Sequence, residues 1–116
     1  MHRAVELEQN LIQFPISIIK FVKIIEKDIP RSVADQIIRS ATSVGTNYTE
    51  AINGSSKVNF KNKIFIAKKE ASETKYWLTI IKALTGADQV DGLLEEVQKY
   101  IMILQKTVNT MNGKSK

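Results

Sequence analysis

The most regular stretch of this sequence is KVNFKNKIFIAKKEASETKYWLTIIKALT, residues 57–85. Apolar and small side chains recur in it at alternating steps of four and three residues, which is the repeat of a helix packed along one side. The positions that follow this repeat are Phe60, Ile64, Ala67, Ala71, Thr74, Leu78, Ile81 and Thr85. An unbroken seam of this length predicts a long helix in a bundle.

Three further segments have helical spacing, at about residues 5–28, 33–53 and 90–111. Pro15 interrupts the first, so either the regular helix begins near Phe14 or a longer helix is kinked at the proline, and the longer, kinked helix is favoured. Gly45 lies among small residues of the second and indicates close packing of a neighbouring helix or a local distortion. Because the connections are short, we expect one all-α domain over residues 1–116, an antiparallel up-down-up-down four-helix bundle with a disordered tail at 112–116.

Composition excludes several classes of function. Cysteine is absent, which removes disulfides, thiolate nucleophiles and cysteine metal sites and is compatible with a reducing cytoplasm. The one histidine, His2, lies at the start of the sequence, where a frayed side chain is a poor general base or metal ligand. No uncharged apolar run is long enough to cross a bilayer. We therefore expect a cytoplasmic protein without membrane contact.

Positive charge is concentrated in the third segment. Seven lysines and two glutamates lie between residues 57 and 84, so this stretch accounts for the net charge of +5 of the whole chain. Four of the lysines recur at seven-residue steps along one side of the helix and form what we term the lysine row: Lys61, Lys68, Lys75 and Lys82.

Two interpretations fit the lysine row. Such a row can bind the phosphates of a nucleic acid by releasing counterions, without reading the base sequence. The same positions also flank the core seam, where lysine stems cover apolar edges and their ammonium groups pair with acids such as Glu95 or Glu96 on an adjacent helix. For a monomer, the second interpretation is favoured.

Polar residues in helical spacing mark a second cluster. Four of them share one face of the second helix, and two glutamates lie on the third: Arg39, Ser43, Asn47 and Glu50, with Glu70 and Glu73. Paired carboxylates can serve as an acid and a base or bind a metal. The Glu-x-x-His motifs of carboxylate-bridged di-metal bundles are absent, however, and a buried network between Arg39 and the glutamates that fixes helix register is favoured. We therefore expect no catalysis, cofactor or metal.

Aromatic residues of the third helix are candidates for a protein interface. They are Phe65, Tyr76 and Trp77. Aromatic side chains dominate the energetics of many interfaces. The favoured alternative for Trp77 is that it fills the core.

Two stretches together resemble a known family: DQIIRSATSVGTNYTEA, residues 35–51, and KEASETKYWL, residues 69–78. They are similar to the bacterial four-helix bundle proteins named after intervening sequences in 23S ribosomal RNA genes, the S23-like family. The resemblance extends from about Leu11 to Thr110. It implies a bundle that assembles into a homo-oligomeric ring, a pentamer. A relative is an accessory protein of diversity-generating retroelements, where a basic oligomer is thought to bind nucleic acid and the reverse transcriptase.

Sequence and resemblance together favour a non-enzymatic oligomeric protein that binds RNA or DNA through the lysine row. A ring of identical subunits would join the rows into a continuous basic surface. The alternative is a protein–protein interaction scaffold that binds no nucleic acid and whose partner is encoded nearby.

Overall fold

A computed structural model describes residues 2–54 and 56–113. Four α-helices occupy most of this range: α1 (His2–Ile25), α2 (Arg31–Ile52), α3 (Lys57–Thr85) and α4 (Gln89–Met111). No strand occurs in the two described ranges, so the predicted all-α class with four helices is confirmed. Of the expected tail, Asn112 and Gly113 form a turn after α4, while residues 114–116 lie outside the described part. None of the helices is long and apolar enough to span a membrane.

The first helix differs in detail from the prediction. α1 begins at His2 and continues through Pro15, which lies inside the helix and is buried, so the regular helix does not begin near Phe14. It ends at Ile25, and Glu26–Asp28 form a 3-10 turn where the α-helix was expected to continue to residue 28. Pro30 explains this end, because a residue before proline avoids the helical region and Ile29 is extended, at φ −134° and ψ 153°.

The core is mainly aliphatic, as expected for a chain with few aromatic residues. The seam of α3 supplies Ile64, Ala67, Ala71, Thr74, Leu78 and Ile81 to it, all of them buried. Matching side chains come from the other helices, and the largest fully buried ones include Leu11, Phe14, Ile18, Ile37 and Leu104. Burial of this continuous apolar cluster is the main term that stabilises the helices, which would be marginal alone.

Helices that follow one another along the chain pack together: α1 on α2, α2 on α3, and α3 on α4. α1 and α2 approach closely at Gly45, where an added Cβ would lie 2.7 Å from the carbonyl oxygen of Leu11 on α1. The close packing predicted at Gly45 is therefore confirmed. α1 and α4 touch through Phe14 and Tyr100, whose rings meet edge to face at 5.4 Å between centroids.

Candidate functional site

The lysine row lies along the α4 side of α3, and its C-terminal end is compensated by acids. The Nζ atom of Lys82 is 3.3 Å from Asp91 Oδ2 and 3.9 Å from Asp88 Oδ1, both near the start of α4. Lys75 donates a hydrogen bond of 2.8 Å to Gln98 Oε1. Because that amide is neutral, the charge of Lys75 is held in place but not compensated.

The charges at the N-terminal end of the lysine row are not compensated by acids of the described residues. Lys61 is exposed, and the Nζ atom of Lys68 lies 5.7 Å from the ring centroid of Phe65. Within the described ranges, neither lysine forms an ion pair. The start of α3 and the end of α4 are neighbours, since Lys57, Phe60, Thr110 and Met111 line one pocket. The sequence of α4 has no acid after Glu96, so the C-terminal part of α4 has no carboxylate side chain to pair with either lysine.

Glu95 and Glu96, the acids expected to pair with the lysine row, are engaged elsewhere or point to solvent. Glu96 accepts a hydrogen bond from the Tyr100 hydroxyl on its own helix. Glu95 is exposed and forms no ion pair in the part of the chain that the structure describes. The acids that do reach the row are Asp88 and Asp91, because the short α3–α4 connection brings the start of α4 alongside Lys82.

Two of the three aromatic interface candidates are exposed. Phe65 is 55% and Tyr76 57% exposed on the solvent side of α3. Trp77 is different, because it packs partly against the core and its indole nitrogen donates to Glu73 Oε2 at 3.2 Å. The Tyr76 ring stands against it, with 5.0 Å between centroids and 78° between planes. Trp77 therefore acts as a support for Tyr76.

The second cluster joins α2 to α3 through one arginine. Nη1 of Arg39 is 3.2 and 3.3 Å from the two carboxylate oxygens of Glu70, and Nη2 donates to Glu73. The expected burial of this network is wrong, since the side chain of Arg39 is 44% exposed. Ser40, the next residue of α2, occupies the core position instead and leaves Arg39 at the solvent edge of the helix pair.

Three of the predicted members do not join this network. Glu50 pairs with Lys63, at 2.7 Å between Oε1 and Nζ, and is not brought to the other glutamates. Asn47 donates to the backbone carbonyl of Ser43 within α2, at 2.8 Å. No group of three or more potential metal-ligating His, Cys, Asp or Glu side chains occurs among the described residues.

Electrostatics keep the Arg39–Glu73 pair charged. Partial desolvation alone would raise the pKa of the Glu73 carboxyl, but the hydrogen bonds from Arg39 and Trp77 outweigh it and hold that pKa below its ordinary value. The hydrogen bond to Glu73 is also the main reason why the pKa of Arg39 is raised. At neutral pH this cluster is an ion pair that bridges two helices.

One buried polar contact was missed at the level of sequence. The hydroxyls of Ser40 and Thr74 lie 2.8 Å apart, both fully buried between α2 and α3, and Thr74 also donates to the Glu70 carbonyl at 2.9 Å. A signal was present, because Thr74 falls on the core seam of α3 and Ser40 lies one helical turn after the buried Ile37. Their pairing leaves neither hydroxyl unsatisfied.

Fold and surface together define the class: an all-α protein of four helices whose third helix presents lysines and aromatic rings to solvent. The chain belongs to the family of 23S rRNA-intervening sequence proteins, whose family model matches residues 3–106.

Among solved structures, the chain is similar to the crystal structure of a protein of unknown function from the S23 ribosomal protein family of Bacteroides thetaiotaomicron. The two are 28% identical, the match covers 87% of this chain and 96% of that chain, and the TM-score is 0.79. No curated protein matches the chain. The similarity therefore supports the fold and the family.

Proposed function

We propose that this protein is a non-enzymatic, homo-oligomeric module that binds RNA or DNA through the lysine row of α3. The observation that carries the proposal is the uncompensated charge of Lys61 and Lys68, which face a part of α4 that has no acid. Ammonium groups fixed in a row on a rigid helix attract phosphates and release the counterions of a nucleic acid. Lys75 extends this charge, whereas Lys82, paired with Asp91, contributes least.

An antiparallel up-down-up-down arrangement is part of the proposal. It is supported by contacts in which residue numbers rise on one helix and fall on the next. On α2 and α3 these are Arg39 with Glu73 and Glu50 with Lys63. On α3 and α4 they are Lys75 with Gln98 and Lys82 with Asp91.

A ring of five copies, which the family resemblance implies, would repeat the charged end of the lysine row around one assembly. Multiple copies bind one nucleic-acid strand with a higher effective concentration than a single subunit does. In this proposal the protein works in the cytoplasm without a cofactor or metal. The Arg39 cluster then has a structural role, because it ties α2 to α3 in a fixed register.

The decisive experiment compares two double variants that remove the same amount of charge. Lys61→Gln with Lys68→Gln removes the uncompensated end of the row, and Lys20→Gln with Lys23→Gln removes exposed lysines of α1. Binding of labelled RNA and DNA is measured by fluorescence anisotropy over a salt series. We expect the first variant to bind more weakly. The slope of log K against log salt should become shallower by about 0.7 for each phosphate of a single strand that the variant no longer neutralises.

The control variant should bind as the wild type does. Absence of binding by the wild type at low salt, or equal behaviour of the two variants, would contradict the proposal.

The second candidate function, a protein–protein interaction scaffold, is favoured by the exposure of Phe65 and Tyr76. It predicts that a protein partner encoded nearby, and not a nucleic acid, is retained by the wild type and released by Tyr76→Ala.

A further inference from the structure

The solvent side of α3 carries a second seam, opposite the core. Alternating steps of four and three residues connect its members in the same way as they connect the core positions, and every member is exposed. We term this set the outward seam: Val58, Asn62, Phe65, Lys69, Ser72, Tyr76, Thr79 and Ala83. It contains two aromatic rings and a lysine but no acid.

We infer that the outward seam binds single-stranded nucleic acid, with bases stacked on Phe65 and Tyr76 and phosphates held by the flanking lysines. This inference rests on the proposed function and deepens it, because it names the form of nucleic acid that the surface recognises. Aromatic rings alternating with cations are the usual platform for a single strand, since every base has a face that can stack and every nucleotide has a phosphate.

The two rings are available for stacking. More than half of each side chain is exposed, and Tyr76 is supported from behind by Trp77, itself held by its hydrogen bond to Glu73. A supported ring loses little conformational freedom when a base is added, so more of the stacking energy is retained. Phe65 lies on the same face, eleven residues earlier, which corresponds to roughly 16 Å along the helix.

One lysine lies over the Phe65 ring, and two others lie on or next to the outward seam. The Nζ atom of Lys68 is 5.7 Å from the Phe65 centroid, so a phosphate bound there is close to a base on that ring. Lys69 is an exposed member of the outward seam, and Lys75, next to Tyr76 in sequence, is held by Gln98 without charge compensation.

Charge favours a polyanion over a protein surface as the occupant. The nearest acids of α3, Glu70 and Glu73, are both engaged by Arg39 on the α2 side and do not oppose a phosphate on the outward seam. A duplex would meet only the lysines, because its bases are stacked inside and cannot reach the rings. The aromatic residues therefore distinguish single strands from duplexes, whereas the lysines do not.

The experiment uses the full-length chain and the double variant Phe65→Ala with Tyr76→Ala. The matched control is Ile24→Ala with Met102→Ala, which removes side chains that are 69% and 63% exposed on other helices. The probes are an oligouridylate, an oligothymidylate and an RNA duplex of equal length. We expect the aromatic variant to bind the single strands about tenfold more weakly while its affinity for the duplex changes less than about twofold. The control should bind all three as the wild type does.

A second measurement follows Trp77, the single tryptophan, whose ring contacts Tyr76. Its emission should change when the wild type binds oligouridylate and stay constant when it binds the duplex. Tyr76→Phe keeps a stacking ring and should retain single-strand affinity. A loss confined to RNA or to DNA still supports stacking and shows that the sugar or the thymine methyl group, in which the two probes differ, is also recognised.

Three results would overturn the inference. They are equal losses for single strands and duplex, no loss for the aromatic variant, and a fall in assembled mass of that variant, which would make the rings subunit contacts. In the first two cases, weaker binding by the Lys61→Gln, Lys68→Gln variant would still support the proposed function. If the wild type binds none of the three probes at low salt, the proposed function itself fails.

Discussion

At the scale of single residues, a proline on one helix and a glycine on the next form one packing feature. Pro15 has no N–H group, so the carbonyl of Leu11, four residues earlier, lacks its usual helical donor. That same carbonyl oxygen lies next to Gly45 of α2, 2.7 Å from where a Cβ would be. The absent side chain lets the α2 backbone approach this carbonyl more closely than any residue with a Cβ could.

This packing makes Gly45 intolerant of even a methyl group. Gly45→Ala would place Cβ 2.7 Å from backbone, which cannot swing away. We expect the free energy of unfolding to fall by about 1–3 kcal/mol, although alanine favours the helix by about 1 kcal/mol. Urea unfolding followed by circular dichroism measures it. Gly92→Ala in α4 is the control, because nothing lies within 4 Å of its added Cβ, and it should stabilise by up to about 1 kcal/mol. Stabilisation by both substitutions would show that α1 and α2 can move apart at position 45 without lowering the free energy of unfolding.

The Arg39–Glu73 pair makes stability depend on pH at the acidic end. The pKa of Glu73 is lower in the folded protein than its ordinary value of 4.5, so the folded state binds fewer protons there than the unfolded state does. The pair therefore stabilises the fold fully above that ordinary pKa, and the contribution is lost as pH falls through the lowered, folded-state value.

Glu73→Gln should consequently lower the free energy of unfolding at neutral pH by about 0.5–1 kcal/mol, the size expected for a half-exposed ion pair. Its deficit relative to the wild type should shrink as the pH falls below the folded-state pKa. Urea unfolding over a pH series measures this, with the exposed Glu95→Gln as the control. A deficit that is the same at every pH would mean that Glu73 acts through packing and not through its charge.

At the scale of elements, α3 could be predicted closely because the signals at its ends are local. Ser56 accepts a hydrogen bond from the Asn59 amide at the start, and Gly86 has φ 65° after the end. Such caps depend only on neighbouring residues.

For α1, the sequence left two alternatives at Pro15. The first half of α1 is held by contacts with α2, including Thr49 to Glu8, and such contacts are not visible in local sequence.

The position of the lysine row could be predicted from the sequence, but which of its charges are compensated by acids could not. Seven-residue spacing places the lysine row on one side of α3, whichever helix lies beside it. Whether each lysine is compensated depends on the register between α3 and α4, which sets Asp91 beside Lys82 and leaves Lys61 without an acid. A similar limit applies to Arg39, since the orientation of α2 about its own axis decides whether Arg39 or Ser40 faces the core. Whether two charged side chains pair depends on how the helices pack, and the spacing of residues along one helix does not determine this.

At the scale of the whole molecule, α1 carries apolar side chains that its own subunit does not cover. Val5, Ile12 and Ile16 are 52%, 51% and 40% exposed and follow one another at helical spacing on one side of α1. Exposed apolar side chains aligned along one helix are typical of contact sites on proteins in solution. In the proposed oligomer we assign it to the contact between subunits. The outward seam of α3, on a helix that does not pack along α1, then stays accessible in the assembly.

This assignment predicts that polar substitutions on α1 dissociate the oligomer and weaken nucleic-acid binding without touching α3. Ile12→Ser with Ile16→Ser should reduce the native mass from a multiple of the chain to that of one chain, measured by native mass spectrometry. Affinity for a long strand should then fall because binding is no longer multivalent, while affinity for a short oligonucleotide that fits one subunit should persist. Ile24→Ser, at a position 69% exposed on another side of α1, should change neither. A wild type that is already monomeric, or a double variant of unchanged mass, would show that the subunits meet elsewhere or not at all. Retained affinity of a dissociated variant for long strands would show that one outward seam suffices.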